Sequence, residues 1–144
     1  MIWKQEFTLE GLNGSSDNAM AQFVGIEFVE AGEDFLVARM PVTEKTVQPM
    51  RILHGGASVV LAETLGSVAS ILCLEDLTKQ TAVGLEINAN HIRSVREGSY
   101  VLGTVRPLHV GRTTHIWNIE IRNPEGKLTC TSRITVAIVP RNVG

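Results

Sequence analysis

Apolar residues follow two different periodicities along this 144-residue chain. From Ala57 to Leu74 they occur on nearly every side of a helix, whereas later segments alternate apolar and polar residues, most clearly at Trp117, Ile119 and Ile121. A period of two is typical of a strand with one buried face, and a continuously apolar stretch of this length is typical of a buried helix. The pattern therefore predicts one long helix among several strands.

Six runs rich in β-branched and aromatic residues are bounded by turn-forming sequences, and each run predicts a strand. Two of them precede the long helix and four follow it, which predicts a four-stranded meander. The runs are Phe23–Glu30, Phe35–Val42, Thr81–Ser94, Tyr100–Val110, Thr113–Asn123 and Leu128–Val139. Two short helices are expected before them, capped by Thr8 and by Asp17 or Asn18. The predicted class is α+β, with one domain over residues 1–144 and one helix on an antiparallel sheet of about six strands.

Composition and charge exclude several functions. The chain is 44% hydrophobic with a net charge of −2, which gives no case for a nucleic-acid-binding protein. Glu63 in the middle of the apolar helix argues against a membrane span, and the N-terminus predicts no signal peptide, so we expect a cytoplasmic protein. Cys73 and Cys130 are expected to be free thiols, and the four scattered histidines predict no metal site.

The net charge hides an asymmetry between the two parts of the chain. Residues 1–90 carry five Lys and Arg against twelve Asp and Glu, whereas residues 91–144 carry eight against three. The last third is therefore a basic strip on an acidic protein.

One polar stripe interrupts the apolar helix. Glu63, Ser67 and Ser70 are spaced i, i+4 and i+7, so they should share one face. Such a stripe is often the solvent-facing side of an amphipathic helix, but this one carries a single charge. It is therefore expected to face a cleft or an interface, where the carboxylate could act as a base.

The residues before the helix supply hydrogen-bond donors. Gly55 and Gly56 expose backbone N–H groups at the positive end of the helix dipole, and Gln48 and His54 lie close by in the sequence. Taken singly, His54 could be a capping or core residue and Gln48 a loop tether. Glu63 lies about 12 Å further along the axis. Base and donors can therefore meet on one carbonyl only if the helices of two copies run antiparallel, which predicts a dimer with shared sites.

These residues form a pattern that resembles a known family. The segments are Gln48-Pro49, Leu53–Gly56, Leu61–Glu63, Gly84–His91 and Pro107–Gly111. Over nearly the whole chain they are similar to the hotdog-fold acyl-CoA thioesterases of the phenylacetate-pathway type, and within that family to the thioesterases of menaquinone biosynthesis and of enterobactin proofreading. The resemblance implies hydrolysis of aromatic or hydroxyaryl acyl-CoA thioesters, of which 1,4-dihydroxy-2-naphthoyl-CoA is one.

The resemblance also implies catalytic roles. Glu63 would act as general base on water or as nucleophile through an acyl anhydride, and the Gly55 N–H would polarise the thioester carbonyl. Gln48 and His54 would orient that carbonyl, and Ser67 would hold the water or assist the carboxylate. Glu63 would come from one protomer and the donors from the other, in a dimer that pairs into a tetramer.

Coenzyme A would enter as part of the substrate, and no separate cofactor is implied. Arg93, Arg106 and Arg112 would contact its phosphates, although each could equally lie on a solvated strand face. The implied substrate-binding positions are Gly84, His91, Ile92, Arg93, Ser94, Arg106, Leu108, His109, Val110, Gly111, Arg112 and Thr113. The chain departs from the family at Met50-Arg51, where relatives carry Phe-Gly, and Arg51 is expected beside the acyl pocket.

Two other functions fit the same fold. One is an acyl-CoA-binding sensor module, which would bind the ester without turnover. The other is a hotdog dehydratase or isomerase acting on acyl-carrier protein, which would use a histidine and a carboxylate but release no thiol. Neither alternative requires a nucleic acid or a membrane.

Overall fold

Six antiparallel strands form a single sheet in the computed structural model, which describes residues 1–15, 17 and 19–142. The long helix, α3 (Gly55–Leu72), packs mainly against the second to sixth strands in chain order. The elements are α1 (Leu9–Gly14), α2 (Met20–Phe23), β1 (Glu27–Ala31), β2 (Leu36–Pro41), α3 (Gly55–Leu72), β3 (Gln80–His91), β4 (Tyr100–Val110), β5 (Thr114–Arg122) and β6 (Leu128–Pro140). The predicted α+β class is confirmed, and this arrangement is the hotdog fold.

The strand order corrects one prediction. The sheet runs β1-β2-β4-β5-β6-β3, so the meander has three strands, and β3 lies beyond β6 at the edge of the sheet. β3 pairs with β6 through contacts such as Ile87 with Ile134. Periodicity marks where a strand lies in the sequence, but pairing is set by long-range packing around the helix, which local sequence does not encode. The exposed middle of β3 leaves a free strand edge.

Helix α3 begins at Gly55, two residues before the predicted start, because the His54 side chain caps it. It is long and apolar enough to cross a membrane by length and composition alone, but its buried residues pack on the sheet of this fold. The single chain does not cover every apolar side of the helix, since Val59, Val60 and Val68 are only half-buried.

The core between helix and sheet is tightly packed around fully buried residues such as Leu61, Leu65 and Trp117. Gly66 lets the helix approach the sheet closely, because a Cβ atom there would lie 2.5 Å from Ile134 Cγ2. This glycine is therefore a packing requirement and not a flexible point.

The two short helices differ in how they begin. Thr8 caps α1 by accepting a hydrogen bond from the Gly11 N–H at 3.0 Å, as predicted. Helix α2 has Ala19 as its N-cap and no side-chain cap, so Asp17 does not serve as the predicted cap. The other predicted cap, Asn18, lies outside the described residues.

Candidate active site

The N-terminus of α3 presents backbone N–H groups as hydrogen-bond donors. The Nδ1 atom of His54 accepts a hydrogen bond from the Gly56 N–H at 2.8 Å, which satisfies that donor and fixes the imidazole. The Gly55 N–H, by contrast, has no hydrogen-bond partner among the residues that the structure describes. A free N–H at the positive end of a helix dipole can polarise a carbonyl or bind an oxyanion.

This donor opens into a cleft of about 290 Å³ between the start of α3 and the end of β3. The cleft contains six of the residues predicted for the site, namely Gln48, Gly55, His91, Ile92, Arg93 and Ser94. The sequence interpretation missed its other lining residues, Ile52, Leu53, Ser58 and Thr129. Ser58 could have been found because it lies one helical turn after Gly55. Thr129 comes from β6, and only the pairing of β3 with β6 brings it here.

Residues 91–94 are held at the cleft by backbone contacts. The N–H groups of Ile92 and Arg93 both donate to the Thr129 carbonyl, at 2.8 and 3.3 Å. The Arg93 guanidinium donates to the Leu128 carbonyl at 3.2 Å and is otherwise exposed. The His91 ring lies against Gly55, since a Cβ atom on that glycine would be 2.8 Å from Nε2. A side chain at position 55 would therefore force the exposed His91 ring to shift away from the start of α3.

The turn that carries Gln48 places Arg51 in an unusual backbone conformation. The Gln48 side-chain oxygen accepts a hydrogen bond from the Met50 N–H, and Arg51 has φ of 62°, a left-handed conformation that favours glycine. The Arg51 guanidinium forms two hydrogen bonds of 2.7 Å with the Glu97 carboxylate, which keeps the pKa of Arg51 above its usual value. Arg51 does not line the cleft. The expectation that it lies beside an acyl pocket is not supported within the single chain.

Glu63 and Ser67 share one face of α3, as predicted, and both are half-buried. Neither side chain forms a hydrogen bond or ion pair in the part of the chain that the structure describes. The Glu63 carboxylate lies beside Gly84 on β3, because a Cβ atom there would be 2.8 Å from Oε1. The unpaired Glu63 carboxylate is available to a ligand, because Gly84 has no side chain to cover it. Glu63 lies outside the cleft of its own chain.

Ser70 lies on the same face of α3 as Glu63, as predicted, but it does not open toward a cleft. It is completely buried, its Oγ accepts a hydrogen bond from Trp117 Nε1 at 2.7 Å, and it lies 3.0 Å from His115 Nδ1. A serine hydroxyl beside an imidazole can be an activated nucleophile, but Ser70 has no accessible surface and its hydroxyl cannot reach a substrate. Glu63 therefore remains the candidate for catalysis on this helix.

The cysteines are free, as predicted, and neither is an activated nucleophile. Burial raises the pKa of Cys73 to about 11, although nearby Lys4 opposes the shift. Burial also raises the pKa of Cys130. Both are therefore protonated thiols at neutral pH.

The predicted binding residues of β4 and its following turn lie away from the cleft of the same chain. Val110, Gly111 and Arg112 line a second cavity, of about 350 Å³, near the C-terminal end of α3. Leu108 is exposed, Thr113 accepts a backbone hydrogen bond from Ile138, and the His109 ring covers Gly111.

Arg106 is engaged elsewhere. Its guanidinium lies 3.7 Å from the Asp34 carboxylate and 4.6 Å from the centre of the Phe35 ring. Of the three arginines predicted to contact phosphate, Arg106 thus interacts with an acidic and an aromatic side chain. Arg93 and Arg112 instead each line a cavity.

A helix-end donor site and a free carboxylate on one helix, in a hotdog fold, define a hydrolase of the acyl-transfer type. The model of the thioesterase superfamily matches residues 50–130, a span that includes Gly55, Glu63 and Gly84. The chain belongs to the thioesterase superfamily and is an acyl-CoA thioesterase.

Individual relatives agree with this assignment. The chain is 53% identical to a 1,4-dihydroxy-2-naphthoyl-CoA hydrolase from Escherichia coli over 139 residues, which cover 96% of this chain and 100% of the relative. It is 47% identical to a proofreading thioesterase from Cronobacter turicensis, over 96% of this chain and 99% of that one. The crystal structure of a thioesterase from Haemophilus influenzae superimposes with a TM-score of 0.92 at 48% identity, over 97% of this chain and 96% of that chain.

Proposed function

We propose that this acyl-CoA thioesterase hydrolyses aromatic or hydroxyaryl acyl-CoA thioesters, with 1,4-dihydroxy-2-naphthoyl-CoA as its preferred substrate. The similarity over full length to the E. coli hydrolase of that ester supports the choice of acyl group. The observation that carries the mechanism is the pair of unsatisfied groups on α3, the Gly55 N–H and the Glu63 carboxylate.

The Gly55 N–H and the Glu63 carboxylate act on the same thioester only if they come from different protomers of a dimer. About 12 Å of helix axis separates them within one chain, which is too far for contact with one carbonyl group. In the proposed dimer, Gly55, Gln48 and His54 of one protomer bind the thioester carbonyl, and Glu63 and Ser67 come from its partner. The active enzyme is then at least a dimer, and we expect two dimers to pair into a tetramer.

The free edge of β3 supports this assembly. Gly84 to Glu86 are exposed in the single chain, and Leu85 keeps 65% of its surface accessible. An unpaired edge strand with exposed apolar residues is usually covered by another strand. Pairing of β3 with β3 of a second copy would cover this edge and bring the half-buried side of α3 toward the partner's helix.

Two chemical routes fit the site. In the first, Glu63 takes a proton from water, the resulting hydroxide adds to the thioester carbon, and the Gly55 N–H stabilises the oxyanion. The carbon–sulfur bond then breaks, and the coenzyme A thiolate takes up a proton. In the second, Glu63 itself attacks the carbonyl and releases the thiolate, and water hydrolyses the resulting anhydride. A single turnover in oxygen-18 water labels Glu63 only by the second route.

The test of the function is release of free thiol from a panel of acyl-CoA esters. We expect kcat/KM to be higher for 1,4-dihydroxy-2-naphthoyl-CoA and benzoyl-CoA than for a long-chain aliphatic ester. Glu63→Gln should lower kcat by about 10²- to 10⁴-fold, the range that a positioned acid or base contributes. A Glu63→Gln variant that keeps the wild-type kcat would remove the carboxylate from the mechanism.

A second substrate class is favoured by the similarity to the proofreading thioesterase. Thiol release from acyl esters other than 1,4-dihydroxy-2-naphthoyl-CoA with a higher kcat/KM than from that ester would favour a proofreading role. The same assays separate the other two functions of the fold, because a sensor binds the ester without releasing thiol and a dehydratase or isomerase consumes an enoyl or hydroxyacyl ester without releasing thiol. We expect the enzyme to act in the cytoplasm.

A further inference from the structure

One hydroxyl group in the cleft at the start of α3 is almost buried and has no partner. Ser58 is only 3% exposed, and its hydroxyl forms no hydrogen bond in the part of the chain that the structure describes. Thr64 on the same helix donates to the Val60 carbonyl at 2.7 Å. Thr129 in the same cleft donates to the Ile121 carbonyl at 3.0 Å. The fold therefore uses these two threonine hydroxyls, whereas it leaves that of Ser58 unsatisfied.

The Ser58 hydroxyl faces the cleft and leans toward Gly55. Among the described residues no side-chain oxygen or nitrogen is both fully buried and unpaired, so the small surface that Ser58 keeps includes its hydroxyl oxygen. Ser58 lines the cleft, and its side chain lies over the helical turn that begins at Gly55, because Cβ atoms tilt toward the N-terminus of a helix. The cleft therefore contains the unsatisfied Gly55 N–H and, about 4.5 Å further along the axis, the unsatisfied Ser58 hydroxyl.

The other walls of the cleft indicate which part of a thioester enters it. Ile52, Leu53 and Ile92 provide apolar surface. Of the described residues that line the cleft, only Arg93 carries a permanent charge, and its guanidinium is exposed. An aromatic acyl group has no anionic end, whereas the pantetheine arm of coenzyme A leads to phosphates that a guanidinium can bind. The cleft therefore suits the pantetheine arm, with the thioester at Gly55 and the phosphates toward Arg93.

We propose that Ser58 is a substrate-binding residue that forms a hydrogen bond with the pantetheine amide nearest the thioester. Two methylene groups separate this amide from the thioester sulfur, a length comparable to the helical rise between Gly55 and Ser58. A serine hydroxyl can accept from the amide N–H or donate to the amide carbonyl. The inference rests on the proposed function, in which the Gly55 N–H binds the thioester carbonyl. Ser58 touches no reacting atom, so its effect should fall on KM and not on kcat.

The experiment compares two benzoyl thioesters that differ in this amide. S-Benzoyl-N-acetylcysteamine carries the amide at the same distance from sulfur as coenzyme A does, and S-pentyl thiobenzoate has methylene groups in its place. The variant is Ser58→Ala, which removes the hydroxyl without breaking a side-chain hydrogen bond of the described chain. Ser132→Ala is the matched control, because it removes a buried hydroxyl that donates to the Asn88 carbonyl at 2.7 Å, and Ser132 does not line the cleft.

Ser58→Ala should raise KM for S-benzoyl-N-acetylcysteamine and for benzoyl-CoA about fivefold, the size expected for one hydrogen bond, with kcat changed less than twofold. It should leave kcat/KM for S-pentyl thiobenzoate unchanged, so the ratio between the two small esters should fall about fivefold. Its melting temperature should equal or exceed that of the wild type, because no hydrogen bond within the protein is lost and alanine favours a helix. Ser132→Ala should retain the wild-type kcat/KM on all three esters.

Two results overturn the inference. An equal loss of kcat/KM on both small esters in Ser58→Ala would show that the hydroxyl acts at the thioester or supports the fold, and not at the amide. Unchanged kinetics of Ser58→Ala on all three esters would show that the hydroxyl does not bind substrate. Failure of the proposed function gives a different result, because the wild type would then release no thiol from benzoyl-CoA, or Glu63→Gln would keep the wild-type kcat.

Discussion

Gly84→Ala is the substitution that most directly tests the position of the catalytic carboxylate. A Cβ atom built on Gly84 lies 2.8 Å from Oε1 of Glu63, whereas ordinary van der Waals contacts to a Cβ begin at 3.4 Å. The Gly84 backbone does not have a positive φ, so alanine fits the strand without backbone strain. The collision falls on the mobile end of a long side chain, and the carboxylate is therefore the part that must move.

The size of the effect follows from that geometry. Relief of the contact requires the carboxylate to shift by about 0.6 Å, and a misplacement of about 1 Å in an active site can reduce the rate about 100-fold. We therefore expect kcat to fall by about 10- to 100-fold, which corresponds to about 1.4–2.7 kcal/mol of transition-state stabilisation. Stability should stay the same or rise by up to about 1 kcal/mol, because alanine loses less conformational freedom than glycine on folding.

The assay is thiol release from benzoyl-CoA, with thermal unfolding of each variant measured in parallel. Gly14→Ala is the matched control, since a Cβ atom there would meet nothing within 4 Å, and it should leave kcat unchanged. Glu63→Asp gives a second comparison, because its shorter side chain withdraws the carboxylate from position 84. Gly84→Ala should then reduce kcat much less in the Glu63→Asp background than in the wild type.

The reasoning is refuted if Gly84→Ala is folded and keeps the wild-type kcat. It is also refuted if the substitution lowers kcat equally in the wild-type and Glu63→Asp backgrounds, since the loss would then come from the strand and not from the carboxylate. A rise in KM with constant kcat would indicate that Gly84 provides space for the substrate alone.

Three further predictions concern phosphate binding, core packing and pH. Arg112→Ala should raise KM for an acyl-CoA about fivefold at unchanged kcat. Arg106→Ala should change neither constant, because that guanidinium is paired with an acidic and an aromatic neighbour. Steady-state kinetics on both variants test this prediction, and a larger rise in KM for Arg106→Ala than for Arg112→Ala would contradict it. Gly66→Ala should lower the free energy of unfolding by about 1–2 kcal/mol, as measured by urea titration, because the alanine Cβ would lie 2.5 Å from Ile134. This loss should outweigh the better helix propensity of alanine. An increase in stability would show that the contact is loose. Burial lowers the pKa of His115 in the folded protein, so the unfolded chain binds more protons below about pH 6.5 and stability should fall as the pH drops from 7 to 5. The melting temperature of His115→Gln should fall less than that of the wild type over this range. An equal fall in both proteins would remove His115 as the cause.

Most elements of the fold could be predicted from the sequence, because they depend on local patterns. Five of the six strands both begin and end within three residues of their predicted bounds, and α3 begins two residues early because His54 caps it. The first strand begins at Glu27, four residues later than predicted, because Phe23 ends α2 and Val24 and Gly25 form a turn in which Gly25 has a φ of 84°. The donor site could also be predicted, because Gly55 and His54 are adjacent at the start of one helix.

The neighbours of each side chain depended on the tertiary structure. The position of β3 beside β6 brings Thr129 to the cleft. Ser70 is buried against Trp117 and His115 although it shares the helix face of Glu63. Arg106 pairs with Asp34, a residue more than seventy positions away. No local pattern predicts such contacts, because they arise from strands that are distant in the sequence.

The sequence by itself therefore determined the α+β class, the long helix, the free thiols and the residues with suitable chemistry. Periodicity and capping act over a few residues, and the chain carries that information at each position. The tertiary structure decided which polar groups are satisfied and which are free, since that depends on the partners packed around them. Among the residues that the structure describes, the Gly55 N–H and the Glu63 carboxylate have no partner, whereas Ser70 is hydrogen-bonded and Arg106 is ion-paired, and this difference selects the groups available to substrate.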